Sequence, residues 1–288
     1  MNKFILVAFV FGVLAASASS LFAQEQGGPP NVLVVARENV KLGKDAGHER
    51  NEAAFARAMA SLKRPDHYLA ATTVTGSDEA VFFAPFDSFA KWEAAINLGD
   101  EPKSRALLGP LMEKDSDYIS DFRQAVFTYN EKLSYHASVN IGQMRYFQVL
   151  VLQVRNGHGD DWAALAALYN SALAKTNSDE HHAVFDAAYG APEGTVLIII
   201  PRKSLAEIDA AAANDQAFLN ALGPDGQKKL AQLEEAAVEP GARIELLKFD
   251  PAMSYPQDAW VQADLSFWKP KPTAKPAAKA ATKPAATN

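Results

Sequence analysis

The chain has 288 residues, no cysteine, 48% hydrophobic residues and a formal net charge of −6. The absence of cysteine excludes disulfides, thiolate metal sites and a cysteine nucleophile, and the length suffices to bury a core without such staples. Without Lys3 and the five lysines from Lys269 onward, 22 basic residues face 34 acidic ones, which argues against nucleic acid as the main partner.

The first residues read as an export address. Lys3 precedes an apolar run of thirteen residues, Phe4 to Ala16, and small residues follow, with Ala16-Ser17-Ala18 and Leu21-Phe22-Ala23 as alternative cleavage sites. The run is too short for an ordinary span, and no later segment approaches ~18 consecutive apolar residues. The expectation is a signal peptide over 1–23 and an exported protein, periplasmic or secreted, with no membrane span after signal removal. At the other end, residues 269–288 carry lysine, proline and alanine with nothing to bury, which predicts a disordered tail. It is either simply solvated or an arm for anionic envelope polymers.

Between these ends the predicted elements come in two similar series. The first is a strand at Val32–Val40, a helix at Asp45–Leu62, and strands at 68–75 and 80–84 turning at Gly76-Ser77-Asp78. A helix after Pro85 follows, with Ser88 as N-cap and Phe89, Trp92 and Ile96 on one apolar face. A short helix near 115–123 and a strand at 125–130 end the series. The second is a strand at 147–154, a helix at 160–175, strands at 183–189 and 195–200, helices after Ser204 and at 226–237, and a strand at 243–249.

Local matches support the parallel. Val81-Phe82-Phe83-Ala84-Pro85-Phe86-Asp87-Ser88-Phe89 resembles Leu197-Ile198-Ile199-Ile200-Pro201-Arg202-Lys203-Ser204-Leu205 at a shift of 116. The same shift lays Leu33 on Val149. Leu108-Gly109-Pro110 matches Leu222-Gly223-Pro224 at 114, and Val126 to Tyr135 matches Leu246 to Tyr255 at 120. Ordered matches at nearly constant shift point to an internal duplication. The expected organisation is a first repeat over 31–136, a linker at 137–146, a second repeat over 147–256, and a packing segment at 257–268. Trp260, Phe267 and Trp268 are expected to pin that segment to the body.

The strands also predict how the repeats meet. Val196 to Ile200 and Phe147 to Leu152 are almost continuously apolar, whereas a sheet with helices on one face and water on the other should alternate. Both faces must therefore be covered, one by helices of the same repeat and one by the sister sheet. The predicted fold is α+β: two tandem ferredoxin-like βαββαβ units packed sheet to sheet as an intramolecular pseudo-dimeric barrel. The element order, the Gly43-Lys44 turn and the strand-Pro-helix segments resemble the dimeric α+β barrel superfamily, with its antibiotic-biosynthesis-monooxygenase-like, EthD-like and NIPSNAP-like domains. Arg37, His48-Glu49, Glu52 and the Ser88/Trp92-Glu93 segment resemble its exported bacterial members. The resemblance implies that cofactor-independent oxygenase or haem-degrading activity is within the superfamily's range.

The leading catalytic candidates are His48 and Glu52, four apart on one helix face with Phe55 and Met59 continuing the stripe. Such a pair is a general base, half of a metal site, or a polar cap on an apolar stripe. A metal needs a third protein ligand and no HExxH motif supplies one, so no metal is assigned. At the shift of 116 the second repeat has Ala164 and Leu168 there. His67 and His181-His182 begin the second strands of their repeats, as a shared site across the pseudo-twofold or as solvated strand starts; His158 sits in an exposed Gly157-His158-Gly159 turn. His67, Trp92, Tyr129, Tyr146 and Tyr189 are the candidates for lining an apolar ligand pocket, or they fill the core. No dinucleotide, phosphate-loop or nucleophile-elbow motif occurs, and Gly223 to Lys229 has the wrong spacing for one. The sequence thus favours an envelope protein binding a small, largely apolar molecule without a cofactor. An oxygenase or haem-modifying enzyme using His48, and a purely structural protein, stay open, as does oligomeric state.

Overall fold

In the computed structural model, which describes residues 27–269, eight antiparallel strands hydrogen-bond in a ring. The expected signal peptide and the tail from 270 onward lie outside the described residues. The first half runs β1 (Val32–Val40), α1 (Asp45–Leu62), β2 (Leu69–Thr73), β3 (Glu79–Phe86), α2 (Phe89–Asp100), α3 (Pro102–Asp115) and β4 (Ile119–Tyr129). The second repeats the order as β5 (Tyr146–Gln153), α4 (Gly159–Lys175), β6 (Ala183–Tyr189), β7 (Thr195–Arg202), α5 (Ala206–Ala213), α6 (Asp215–Ala237) and β8 (Arg243–Phe249). Two short helices, α7 (Asp258–Ala263) and α8 (Leu265–Trp268), end the described chain.

Each half forms a four-stranded sheet, β2-β3-β1-β4 and β6-β7-β5-β8, and the edges of the two sheets join. β2 pairs with β8 through Ala71 and Phe249, and β4 with β6 through Phe127 and Ala187. Closure removes every free edge. Alternate residues then face two different apolar layers. Leu33, Val35, Phe83, Phe147, Val149, Leu197, Ile199 and Leu247 fill the barrel, while Val32, Val34, Leu152 and Val196 lie under helices. That double burial explains the unbroken apolar runs. Phe147 of the second half lies edge-on to Phe83 of the first at 5.2 Å and to Phe249 at 4.6 Å, so one core serves both halves.

The pairing register revises three expectations. Leu33 pairs with Pro85, and Phe147 with Pro201, so β1 maps onto β5 at a shift of 114. An ungapped shift of 116 is off by two, a slip that strand periodicity conceals because it keeps every residue on its own face. The helix expected near 115–123 lies earlier, started by Pro102 in the first turn of α3, and Ile119 to Arg123 belong to β4. Of the stripe on α2, Trp92 packs on Val32, Val34 and Val126, but Phe89 and Ile96 stay roughly half exposed, because α3 and not α2 covers the sheet beside α1. Ser88 does cap α2, accepting from Lys91 N–H.

The C-terminal segment packs against the barrel wall beside the residues that precede β5. Trp268 is buried and donates to the Gly142 carbonyl at 2.8 Å, Phe267 lies under the Arg145 guanidinium, and Arg145 pairs with Asp264. Gly142 is required there: a Cβ would sit 2.7 Å from the Trp260 backbone.

Leu247 is fully buried on β8 between the β5 ladder and the β2 seam, whereas Ile244 on the same strand is 67% exposed. Leu247→Ala is expected to cost about 2–5 kcal/mol in urea unfolding, and Ile244→Ala no more than about 0.5 kcal/mol.

Candidate functional site

The barrel interior is divided by charge. Toward one end, Arg37 on β1 pairs with Glu79 on the neighbouring β3 at 2.8 Å and reaches across to Glu245 on β8 at 2.5 Å, and Arg123 and Arg243 add to the two carboxylates from half-exposed positions. Burial opposes the Arg37 charge, but the paired carboxylates more than compensate and raise its pKa. The ion pairs compensate the buried charges at that end.

The other end is open inside. A cavity of about 370 Å³ has a floor of Leu33, Leu69, Phe83, Phe147, Phe185 and Ile199. Its rim comes from the segment Gly27 to Asn31, Ala137 and Val139 to Ile141 of the connection between the two halves, His182 and Trp260 of α7. His182 is buried and keeps a hydrogen bond to the Leu133 carbonyl, but burial dominates and lowers its pKa to about 4. A neutral imidazole therefore stands at the edge of an apolar chamber at physiological pH.

None of the five residues expected to line a pocket lines this one. Tyr129 packs on the lumen core 5.6 Å from Phe185, Trp92 lies under α2 on the outer face, and Tyr146 is half-buried on β5. Tyr189 is 65% exposed and meets Phe89 edge-on. His67 stacks on Tyr255 at 4.5 Å, while His182 faces Tyr135 and Tyr169. β2 and β6 stand on opposite walls of the ring, so each histidine finds partners in its own seam rather than across the pseudo-twofold. His158 precedes α4 and bonds to Asp161 at 2.9 Å. Sequence patterning could not find the real lining, because half of it comes from connections without periodicity.

A second cluster lies outside the lumen, between β1 and the helices. The Gly43 turn (φ 76°) folds α1 straight back over β1, and His48, Asn51 and Glu52 on its inner face are all buried. Glu38 on the outer side of β1 and Asp115 at the end of α3 complete it. His48 Nε2 is 2.8 Å from Glu38 Oε2 and 3.8 Å from Asp115 Oδ1. The Asn51 amide donates to the Leu111 carbonyl at 3.0 Å and to Asp115 Oδ1 at 3.3 Å. Burial, reinforced by Glu38 and Asp115, pushes Glu52 up to about 8, and burial with Glu38 raises Asp115; burial opposes protonation of His48, but Glu38 and Asp115 prevail and raise it. The helix spacing pointed to His48 and Glu52. Glu38 and Asp115 arrive from distant elements, and only the fold brings them to His48 and Glu52. At the true shift of 114, Trp162 and Ala166 replace Ala164 and Leu168 as the equivalents in the second half.

No protein-family model and no curated protein matches the chain. Among solved structures it is similar to a candidate monooxygenase from Fusobacterium nucleatum, with 10% identity, a TM-score of 0.50, and coverage of 76% of this chain and 91% of that one. The fold is the dimeric α+β barrel. A candidate monooxygenase from Lactobacillus acidophilus (6% identity, TM-score 0.45, 76% and 93% coverage) and a haem-binding protein from Thermus thermophilus (10%, 0.41, 77% and 94%) are also similar. At these identities the likeness concerns the barrel's architecture alone, with the two sheets contributed here by a single chain.

His182 gives a pH signature. Its folded pKa lies below the ordinary value of 6.5, so between about 6.5 and 4 the unfolded chain binds a proton that the barrel does not. The stability this residue contributes is present above 6.5 and is lost as pH falls through about 4. Urea unfolding at pH 7 and pH 4.5 should show wild type losing about 2 kcal/mol more than His182→Asn.

Proposed function

We propose that this is an exported cell-envelope protein that binds a small, largely apolar molecule in the open end of its barrel. The observation that carries the reading is the chamber of about 370 Å³, floored by aromatic and aliphatic side chains and rimmed by few polar groups. Its volume falls in the range of about 300–1,000 Å³ usual for small-molecule sites. The neutral His182 imidazole offers no positive charge to attract an anionic ligand. Trp260 supplies a flat apolar face at the entrance. A wholly packed interior, as a purely structural role requires, is hard to reconcile with this space. A reading in which His48 works on a ligand in the lumen draws no support from its place behind β1, among residues of the helix layer.

The export address and the lysine-rich tail agree with an envelope location, and the absence of cysteine is compatible with it. Within the described residues, no helix is long and apolar enough to cross a membrane.

Native mass spectrometry of the protein purified from its own host should reveal a retained small molecule. Ala183 is buried on the chamber wall, so Ala183→Trp fills the space. The variant should keep wild-type circular dichroism, lose the retained mass, and abolish enhancement of anilinonaphthalene fluorescence. No retained mass and no probe binding by wild type, or full probe binding by Ala183→Trp, would refute the assignment.

A further inference from the structure

We propose that Glu38, His48, Glu52 and Asp115 form a buried binding site for a divalent first-row transition ion of the Zn²⁺, Mn²⁺ or Fe²⁺ class. One potential ligand atom from each residue lies within 4.8 Å of all the others, and His48, Glu52 and Asp115 are buried. Carboxylate oxygens with a single imidazole nitrogen suit such ions, and the imidazole disfavours Ca²⁺ and Mg²⁺, which select oxygen.

The charge balance points the same way. Three carboxyl groups converge on one imidazole, and among the described residues no lysine or arginine forms an ion pair with any of them. Buried carboxylates ordinarily recruit a cation or are replaced by apolar packing. This protein holds the apolar solution in its own second half. At the observed shift of 114, Glu38, His48 and Glu52 correspond to Leu152, Trp162 and Ala166, which pack as one apolar cluster with Ala237 of α6. The fold therefore does not require polar groups between this strand and these helices. The first half keeps three ionisable residues at positions where the second half keeps Leu152, Trp162 and Ala166.

Two further side chains face the same space with unmet polar atoms. Asn51 is 4% exposed, its amide nitrogen is on Asp115, and its Oδ1 has no hydrogen-bond partner. The Tyr68 hydroxyl, on a side chain 8% exposed and close enough to feel the Glu52 and Glu38 carboxylates, also lacks one. A buried acceptor without a donor is costly, and a cation or its bound water is what would satisfy such oxygens. The pattern is that of a closed site, three elements converging with little exposure, so the ion's role is to tie α1 and α3 to β1.

The test uses the full chain, stripped with a chelator and titrated with ZnCl₂ by calorimetry and with CoCl₂ by visible absorption. One equivalent of Zn²⁺ should bind, raise the melting temperature, and displace Co²⁺ from a site with intense visible bands. His48→Gln and Glu52→Gln, checked for folding by circular dichroism, should weaken binding about tenfold or more, while Glu49→Gln on the exposed face of the same helix should leave it intact. The wild-type Co²⁺ spectrum decides even if a variant misfolds. Folded wild type that takes up no stoichiometric Zn²⁺, variants that retain full uptake, or Ca²⁺ competing as well as Zn²⁺ would overturn the proposal.

Discussion

Each four-stranded sheet of this protein has two things it cannot leave in water: an apolar inner face and two unpaired edges. A single operation satisfies both, because bringing the sheets face to face also lets β2 meet β8 and β4 meet β6. Burial of the inner faces supplies the drive and edge pairing fixes the register. The seams leave little tolerance. At the β4–β6 seam Gly190 holds φ 78°, and a Cβ there would stand 2.3 Å from the Gln124 carbonyl oxygen.

Closure also decides where chemistry can lie. The lumen is shared by both halves, so its contents are joint property: Arg37 with Glu79 and Glu245, completed by Arg123 and Arg243, at one end and an apolar chamber at the other. The helix layers are private to each half, and there the two differ. Under α4 and α6 lies an ordinary apolar cluster; under α1 and α3 lie three acids and a histidine. A barrel stabilised mainly by its shared interior tolerates such a polar inclusion in one outer layer.

The sequence made much of this legible where one residue pattern determines one structure. Strands buried on both sides announced themselves by unbroken apolar runs, and the bounds of β1, α1, β6 and β8 coincide with expectation. Reading failed where the determining contact was distant. The boundary of α3 and β4 depended on which helix would cover α1, and the two-residue slip between β1 and β5 is invisible to a pattern of period two. The candidate pair His48 and Glu52 was readable because helical spacing puts both on one face. Glu38 and Asp115, ten residues before His48 and sixty-three after Glu52, carry no local mark of their meeting. The chamber's lining was likewise hidden, since loops and a C-terminal helix turn form its rim.

Native-state hydrogen exchange would probe the unity of the two halves most directly, by comparing seam amides with those inside each sheet. Amides of the β2–β8 and β4–β6 ladders should exchange only through global unfolding, with the same opening free energy as the β1–β3 and β5–β7 ladders. Seam amides that exchange through a far cheaper opening, while each half stays protected, would mean two sheets that merely touch, and the shared interior on which the account rests would be lost.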